Sequence, residues 1–404
     1  MFDFKESKQI IYALDYSKTA YHTVNMVKSV LKDYGFKLLP EYDLNPNILE
    51  NPDNNKFYVK RNDSSIIAFR IDSKEPKFKI VASHSDSPAL KIKPHGYEKV
   101  SGNDELATIA VSGYGAGIWH TWFDRPLKIC GRKISVIKNN CSDLIEYGCI
   151  GRIPSTAIHM ERNINDGKKI NIQTDMRVII NSDKDIEDRI NNWLSSEIYF
   201  VNAEKPEIYE NTICSPRIDN LASVFTSLDA FVNSEPSYGV SMIAIFDSEE
   251  IGSRTYQGAF SNFLENVISN IWGTRINRED SFIISFDGAH ATPINNLSLA
   301  DSINPVYLGK GIVIKNNDKY CTNAFSTAVF TSLCRDTYQP YQTYTCRSDM
   351  ICGSTIGSIL TSKLGMPGID VGIPMHGMHS ISETADLRDW ISSIEILKKF
   401  YKGY

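Results

Sequence analysis

Two adjacent carboxylates, Glu249 and Glu250, follow soon after the apolar run Val240–Phe246. A short apolar run of this kind is typical of a buried strand in a parallel sheet. In open α/β sheets, ligands bind in the crevice beyond the carboxyl ends of the strands. Neighbouring carboxylates at such an edge repel each other unless a cation, a proton or separate environments keep them apart. An isolated Glu-Glu pair is more often an acidic loop facing water, so the rest of the chain must decide between the two interpretations.

Other residues of metal-ligand type occupy equivalent places in the sequence. His84, Asp287 and His379 each lie beyond the end of a predicted strand, and Asp219 opens a predicted helix. The N-termini of helices lie at the same rim of an open sheet as the carboxyl ends of its strands. Together with Glu250 these residues provide two imidazoles and three carboxylates, a set that suits zinc or another first-row divalent ion. Each residue alone is more often structural, but convergence of all five on one edge favours a metal site.

The number of candidate ligands indicates two ions. A catalytic metal ion commonly has three protein ligands and one open position, so two ions need six ligand places. Five residues fill six places if one carboxylate bridges, and such ions lie roughly 3.5–4 Å apart in two-metal hydrolases. Glu249 is then the remaining carboxylate, and we expect it to be a general base that takes a proton from the attacking water. Asp86, in His84-Ser-Asp86, is expected to accept a hydrogen bond from His84.

The predicted elements that position these residues belong to an α/β fold. Strands are predicted at Phe78–Ala82, Met242–Phe246, Phe282–Phe286 and Ile369–Ile373, and they alternate with helical segments. This alternation predicts a mixed central sheet flanked by helices. Between residues 93 and 214, frequent Gly and Pro and short alternating runs indicate an inserted β-rich domain. We therefore expect residues 1–92 and 215–404 to form the catalytic domain.

Composition limits the class of partner. The formal net charge is -5, which gives no electrostatic reason to expect nucleic acid or an anionic membrane as a partner. The eight cysteines include no CxxC pair and read as reduced thiols. No stretch of the sequence approaches the length of uncharged residues that a membrane span requires. We therefore expect a cytoplasmic protein.

Eight longer motifs resemble the aspartyl aminopeptidase and vacuolar aminopeptidase I family of dinuclear metallopeptidases, and the resemblance extends over nearly the whole chain. These motifs are Ala82–Pro88, Tyr114–Arg125, Ser215–Leu221, Phe246–Ser253, Asp287–Ala291, Gly309–Lys315, Cys352–Gly357 and Met378–Ile381.

This resemblance implies a role for each candidate residue. Asp219 would bridge the two ions, with His84 and Asp287 completing one site and Glu250 and His379 the other. Glu249 would be the general base. The expected ion is zinc, with manganese or cobalt as alternatives. The resemblance also gives roles to substrate-binding residues: Asp247 would hold the free α-amino group, His290, Lys315 and Tyr320 would line the substrate pocket, and His159 would reach the active site of a neighbouring subunit.

The implied function is release of N-terminal residues, preferably Asp or Glu, from short peptides. The implied assembly is a tetrahedral homododecamer, with the inserted domain mediating subunit contacts. Two alternatives stay open at this stage. One is a deacylase or an aminopeptidase of neutral or broad specificity on the same scaffold, which would fit the unusual run Ala291–Asn295 after the Asp287 motif. The other is a non-catalytic, self-assembling cargo protein.

Overall fold

The computed structural model describes residues 3–50, 55–135, 141–191, 196–273 and 275–403. The helices are α1 Ser7–Tyr16, α2 Ala20–Asp33, α3 Ile172–Asp175, α4 Lys184–Asn191, α5 Ile218–Val232, α6 Phe263–Trp272, α7 Ala324–Asp336, α8 Ile356–Leu364 and α9 Leu387–Lys402. The strands are β1 Lys37–Leu38, β2 Lys56–Arg61, β3 Ser65–Ile71, β4 Phe78–His84, β5 Ala89–Val100, β6 Asn103–Tyr114, β7 Leu127–Ser135, β8 Cys141–Arg152, β9 Val178–Asn181, β10 Ser196–Asn202, β11 Glu207–Tyr209, β12 Thr212–Ser215, β13 Val240–Phe246, β14 Phe282–His290, β15 Ile312–Lys315, β16 Tyr341–Tyr344, β17 Gly368–His376 and β18 Glu383–Asp386. No helix in the described ranges is long and apolar enough to cross a membrane.

The chain divides into two compact units. The larger comprises Met1–Asp86, Pro206–Met378 and Glu383–Tyr404, and the smaller comprises Ser87–Lys205 and His379–Ser382. The first two limits, at 86/87 and 205/206, lie six and nine residues before the predicted boundaries at 92/93 and 214/215, and His379–Ser382 was not assigned to the inserted domain. The reason is strand pairing. Strand β5 begins at Ala89 and pairs within the smaller unit, whereas β11 pairs with β12, and β12 pairs with β18 in the larger unit.

The larger unit is built on a mixed sheet. The order of its main path is β1-β2-β3-β13-β4-β14-β17-β18-β12-β11, with β15 pairing β16 and β17. At the centre, β4 runs parallel to both β13 and β14, and β14 runs parallel to β17. Antiparallel pairing of β3 with β13 makes the sheet mixed, as predicted.

Successive side chains of the central strands are buried on opposite faces of this sheet. On β13, Ile243 and Ile245 pack in the same cluster as apolar residues of α5 and α9. Met242 and Ala244 point to the other face, into a cluster with residues of α6 and α8. This period of two is what a strand covered by helices on both sides requires. The predicted fold class, a mixed central sheet flanked by helices, is therefore confirmed.

Three predicted strands continue beyond their expected ends: β4 to His84, β14 to His290 and β17 to His376. The sequence suggested that the strand ends at Phe286, but β14 continues to His290 because Asp287 to His290 pair in parallel register with Gly372 to Met375 of β17. Asp287 therefore lies within a strand rather than in the loop after it. The polar and glycine-containing stretch Asp287-Gly-Ala-His290 gave no sign of strand continuation in the sequence.

The smaller unit is a closed barrel of strands in the order β10-β5-β6-β9-β8-β7. Its interior is filled by residues that alternate along the strands, as expected for a small barrel. Examples are Leu90 and Ile92 on β5, Ile109 and Val111 on β6, and Phe200 on β10, each at most 3% exposed.

Candidate metal centre and active site

His84, the last residue of β4, is fixed in orientation by its own chain segment. Its Nδ1 lies 3.1 Å from the main-chain carbonyl oxygen of Asp86, which can only accept a hydrogen bond. Nδ1 must therefore carry the proton, and in the neutral ring Nε2 has the lone pair. The side chain is buried, with 1% of its surface exposed. Such a ring is ready to bind a cation through Nε2.

Two carboxylates face this nitrogen. Oδ1 of Asp287 lies 3.2 Å from His84 Nε2, and Oδ1 of Asp219 lies 3.5 Å from it. A lone pair and two anionic oxygens in such close contact repel each other unless a proton or a metal ion lies between them. Burial opposes a charge on the ring, but hydrogen bonds to Asp219, Asp287 and Asp86 outweigh it and raise the pKa of His84 well above its ordinary value. The site therefore attracts a cation.

Strand register explains why these residues meet. His84 pairs with Phe246 at the end of β13, so the turn that carries Glu249 and Glu250 starts beside it. Ala82 pairs with Ser285 of β14, which places Asp287, two residues further on, level with His84. Glu249 and Glu250 lie in a 3-10 turn, Glu249–Ile251, directly after β13.

Asp86 holds this acidic turn through main-chain contacts. Its two carboxylate oxygens accept hydrogen bonds from the backbone N–H groups of Glu249 and Glu250, at 3.1 and 3.2 Å. Its Oδ1 is 3.5 Å from Nδ1 of His84. The sequence predicted a contact between Asp86 and the imidazole; in the structure the backbone carbonyl makes the shorter one. Asp86 therefore ties the His84 strand to the Glu249 turn.

Glu249 and Glu250 both reach His84. One ligand atom from each of the three residues lies within 4.8 Å of the others. Burial, together with the negative charges of Asp287, Asp86 and Asp219, raises the pKa of Glu249 to about 7, against the opposing effect of His84. A carboxylate with a pKa near neutral can both take up and release a proton at physiological pH.

Asp247 points into the protein. Its Oδ1 accepts the N–H of Ser248 at 2.7 Å, and its Oδ2 accepts a hydrogen bond from the side chain of Gln257 at 3.0 Å. Its own N–H donates to the hydroxyl of Ser65 at 2.8 Å, and the residue is only 6% exposed. This placement favours a structural role that supports the acidic turn. The binding of a substrate amino group by Asp247 stays a prediction.

The predicted pocket residues Lys315 and Tyr320 lie on the Asp287 side of the site. Lys315 ends β15, is 4% exposed, and its Nζ is 3.6 Å from Oδ2 of Asp287. The same Nζ lies 5.7 Å from the ring centre of Tyr320. His290, at the end of β14, is exposed and its ring centre is 6.0 Å from that of Tyr344.

The remaining two predicted histidines belong to the smaller unit. His379 begins the short stretch His379–Ser382, and its Nδ1 donates a hydrogen bond to the carbonyl oxygen of Ala116 at 3.1 Å. The neutral ring therefore carries its lone pair on Nε2, as a metal-binding histidine requires. His159 lies in the exposed segment that follows β8.

One functional neighbour was missed by the sequence analysis. Glu383, on β18, is 2% exposed, and its Oε2 accepts the backbone N–H of Asp219 at 2.9 Å. This contact fixes the main chain at Asp219, which has non-helical torsions although it lies within α5. Nothing in the local sequence Glu383-Thr-Ala-Asp386 signals this role, because the two residues are 164 positions apart.

The residues present fit a metal ion. His84, Asp219 and Asp287 form a group whose ligand atoms lie within 4.8 Å of one another. An imidazole and carboxylates in this arrangement are the donor set of zinc and related ions. A mixed α/β sheet with such a group at the carboxyl edge of its parallel strands indicates the class of metal-binding proteins.

Comparison with known proteins specifies this class further. The model of the Aminopeptidase I zinc metalloprotease (M18) family matches residues 13–192 and 183–401. The chain is 35% identical to a probable M18 family aminopeptidase 2 of Clostridium acetobutylicum, over 98% of both chains. It is 32% identical to aspartyl aminopeptidase 4 of Saccharomyces cerevisiae, covering 98% of this chain and 94% of that protein. The structure of the S. cerevisiae mApe1 dodecamer superposes with a TM-score of 0.82 at 22% identity, covering 99% and 97%.

The chain belongs to the M18 family of aminopeptidase I zinc metalloproteases, and it is a metalloaminopeptidase. The family resemblance seen in the sequence motifs is thereby confirmed.

Proposed function

We propose that this aminopeptidase holds two divalent ions, with Asp219 as the ligand they share. His84 and Asp287 would complete one site, and Glu250 and His379 would complete the other. The observation that carries the proposal is the Nε2 lone pair of His84, which faces carboxylate oxygens of Asp287 and Asp219 at 3.2 and 3.5 Å. Zinc is the expected ion, and manganese or cobalt would accept the same ligands.

Glu249 is the general base of the proposed reaction. When bound, the ions act as Lewis acids that polarise the scissile carbonyl and lower the pKa of water. Glu249 takes the proton from the attacking water and passes it to the leaving amine. Its carboxylate reaches the same cluster as His84 and Glu250, which is where a general base must lie. Because Asp86 holds the backbone of the turn, the Glu249 carboxylate stays aimed at the edge where His84 lies.

The negative charge of the site explains why the enzyme would act at the N-terminus of a peptide. A free N-terminal ammonium is attracted to a site rich in carboxylates, which internal peptide bonds cannot exploit. Glu249 and Asp247 are the proposed partners of this group. For Asp247 to bind it, the ammonium must reach a carboxylate that is 6% exposed and already accepts hydrogen bonds from Ser248 and Gln257.

Preference for Asp or Glu at the first position is assigned to Lys315. It is a buried cation near the proposed metal site, with Nζ 3.6 Å from Asp287 Oδ2. A substrate carboxylate would gain a charge-assisted hydrogen bond there. His290 and Tyr320 would complete the pocket. A relative at 32% identity is named an aspartyl aminopeptidase, which supports this preference.

Hydrolysis of a panel of dipeptides distinguishes a preference for N-terminal Asp or Glu from a preference for neutral residues. We expect the wild-type enzyme to release Asp and Glu from dipeptides faster than Leu. Lys315→Met should lower kcat/KM for Asp-peptides by about 10- to 100-fold, the loss expected for one charge-assisted hydrogen bond, and change Leu-peptide hydrolysis little. Equal loss for both substrates would contradict the assignment of Lys315.

The proposed assembly is a homododecamer located in the cytoplasm. A protein with the same fold is a dodecamer, and the family resemblance suggests that His159 contacts substrate in a neighbouring subunit. His159 is exposed in the chain described here, as such a role requires. Light scattering coupled to size exclusion tests the assembly. His159→Ala should keep the oligomer and reduce turnover.

The decisive experiment is Glu249→Gln. The variant should lose about 10²- to 10⁴-fold in kcat, the range of a general base, while its metal content and oligomer size stay unchanged. Glu265→Gln, at an exposed position in the first turn of α6, is the matched control and should retain full activity. Full activity of Glu249→Gln would refute the mechanism. Absence of peptide hydrolysis in the metal-loaded wild type would instead favour the cargo protein.

A further inference from the structure

Two thiols flank an exposed loop beside the proposed substrate pocket. Cys346 and Cys352 are both partly exposed, and residues 348–351 between them are exposed. The Sγ of Cys346 lies 3.9 Å from the carbonyl oxygen of Met350. The side chain of Cys346 also interacts with those of Cys352 and Tyr344. The two sulfur atoms therefore lie close together at the base of one loop.

The frame around this pair is fixed by a buried carboxylate. Asp370, on β17, is completely buried, and its Oδ2 accepts the N–H of Cys321 at 2.7 Å while its Oδ1 accepts the hydroxyl of Thr355. These contacts hold the backbone at Cys321, just after Tyr320, and the side chain of Thr355, three residues after Cys352. A change at the thiols would therefore move the loop and the side chains on it, rather than the strands beneath.

Both thiols are linked to residues assigned to the substrate pocket. The Sγ of Cys352 donates a hydrogen bond to the hydroxyl of Tyr320 at 3.4 Å. The ring of Tyr320 in turn lies 5.7 Å from Nζ of Lys315. On the other side, the hydroxyl of Tyr344 contacts Cys346, and its ring lies 6.0 Å from that of His290.

We propose that Cys346 and Cys352 are an oxidative modification site, in which a peroxide converts the thiol pair to a disulfide that alters the substrate pocket. The Cys346 thiolate attacks the peroxide, forms a sulfenic acid and releases water or an alcohol. The sulfur of Cys352 then displaces the sulfenic oxygen, which leaves as water with the Cys352 proton. Two thiols are oxidised and one peroxide bond is reduced.

The disulfide removes a hydrogen-bond donor from the pocket. Once Cys352 is bonded to Cys346 it has no S–H, so the hydroxyl of Tyr320 loses that donor and the ring is no longer held against Lys315. The consequence for activity depends on the proposed pocket role of Lys315 and Tyr320, whereas formation of the disulfide does not. We expect KM for Asp-peptides to change by about 2- to 10-fold, the effect of one hydrogen bond, while the metal content is unchanged.

Cys334 and Cys214 have different surroundings. Burial raises the pKa of Cys334 to about 12, and that residue packs in the main core. Cys214, on β12, is half-buried, with its Sγ 3.6 Å from the hydroxyl of Thr384. Cys214 is therefore a suitable control position, because its exposure resembles that of the pair and its partner is a threonine.

Peptide mapping tests the modification directly. Trypsin cleaves after Arg347 and so separates Cys346 from Cys352, unless a disulfide joins the two peptides. After treatment of the metal-loaded enzyme with hydrogen peroxide, we expect a joined peptide that is lost on reduction. The same treatment of Cys214→Ser should give the joined peptide, and Cys346→Ser should not. Absence of the joined peptide from the peroxide-treated wild type would overturn the proposal.

Kinetics test the link to the pocket. In the wild type, peroxide should change KM, and a phosphine reductant should restore it; in Cys346→Ser, peroxide should have no reversible effect. A joined peptide with unchanged KM would overturn the coupling while leaving the modification site standing. If the enzyme hydrolyses no dipeptide at all, the proposed function fails, yet the mapping experiment still decides whether the thiol pair is oxidised.

Discussion

Buried carboxylates occur in two kinds of surroundings in the larger unit. Asp389, in α9, is 1% exposed, and its two oxygens accept the N–H groups of Gly309 and Gly311 at 2.7 and 2.6 Å. Asp287, at the sheet edge, accepts the N–H of Gly288 at 2.7 Å but also faces Nε2 of His84 at 3.2 Å. Asp389 is surrounded mainly by neutral backbone donors, whereas Asp287 meets an imidazole that can share a cation with it.

This difference shows that burial of an acid does not by itself mark a functional site. Two backbone N–H groups hold Asp389 so that it fastens a loop to α9, and nothing further is required of it. At the sheet edge, several acids converge on one ring nitrogen, and the arrangement is stable only with a positive charge among them. The nature of the partner therefore separates a structural carboxylate from a metal ligand.

The largest expected effect comes from removing the shared imidazole. His84→Ala deletes the nitrogen on which Asp219 and Asp287 converge, so metal content should fall. The kcat/KM should drop about a thousandfold or more, because metal ions contribute several kcal/mol to transition-state stabilisation. Elemental analysis, peptide hydrolysis and circular dichroism are the measurements. If the variant keeps its metal and its activity, a carboxylate that faces His84 does not differ in function from one that accepts only backbone hydrogen bonds.

The second expected effect is a pH dependence of the free energy of unfolding, caused by Asp389. Burial raises the pKa of Asp389 to about 7, although hydrogen bonds from Gly309 and Gly311 oppose the shift. An acid whose pKa is higher in the folded state contributes stability that is complete below the unfolded pKa near 4 and is lost as pH rises through about 7. The difference between a folded pKa of about 7 and an unfolded pKa near 4 corresponds to roughly 4 kcal/mol in the free energy of unfolding.

Asp389→Asn tests this linkage, because asparagine does not titrate. Between pH 5 and pH 8, denaturant unfolding should show a larger loss of stability for the wild type than for the variant. Other titrating groups are common to both proteins and cancel in the comparison. Metal content should be the same in both. An identical pH dependence would show that Asp389 is ionised throughout this range and that its two amide donors outweigh its burial.

Much of the fold could be predicted from the sequence because the central strands are long apolar runs. The predicted strands at residues 78–82, 242–246 and 369–373 correspond to β4, β13 and β17, each extended by a few residues. Helix α5 was more difficult. It was expected to begin near Asp219, but Asp219 and Asn220 have non-helical torsions within it. Asp219 donates its N–H to Glu383, a distant contact that no local pattern indicates.

In the candidate site, too, some features could be predicted from the sequence and others could not. Residue type and position after predicted strands identified His84, Glu249, Glu250 and Asp287, because parallel strands bring their carboxyl ends together. Contacts that depend on tertiary structure could not be predicted. The bond from Glu249 N–H to Asp86 spans 163 positions, and the inward orientation of Asp247 depends on Gln257 and Ser65.

Substitution of Asp86 should have the smallest effect on activity. It also tests the comparison most directly, because Asp86 accepts backbone hydrogen bonds as Asp389 does and lies beside His84 as Asp287 does. Like Asp389 it accepts two backbone N–H groups, but those groups belong to Glu249 and Glu250, and its own carbonyl holds His84. Asp86→Asn keeps that carbonyl and one acceptor oxygen, so His84 should remain oriented while the acidic turn loosens. We expect kcat/KM to fall about 10- to 100-fold, as for residues that orient metal ligands.

The matched control for this variant is Asp389→Asn, which loses the same kind of acceptor from the same number of backbone donors. It should leave kcat/KM unchanged after correction for the folded fraction. If both variants lose activity only in proportion to unfolding, Asp86 belongs with the structural acids. In that case only the buried carboxylates that face the imidazole itself would contribute to turnover. A carboxylate that only fixes the backbone of its neighbours would have no separate effect on kcat/KM.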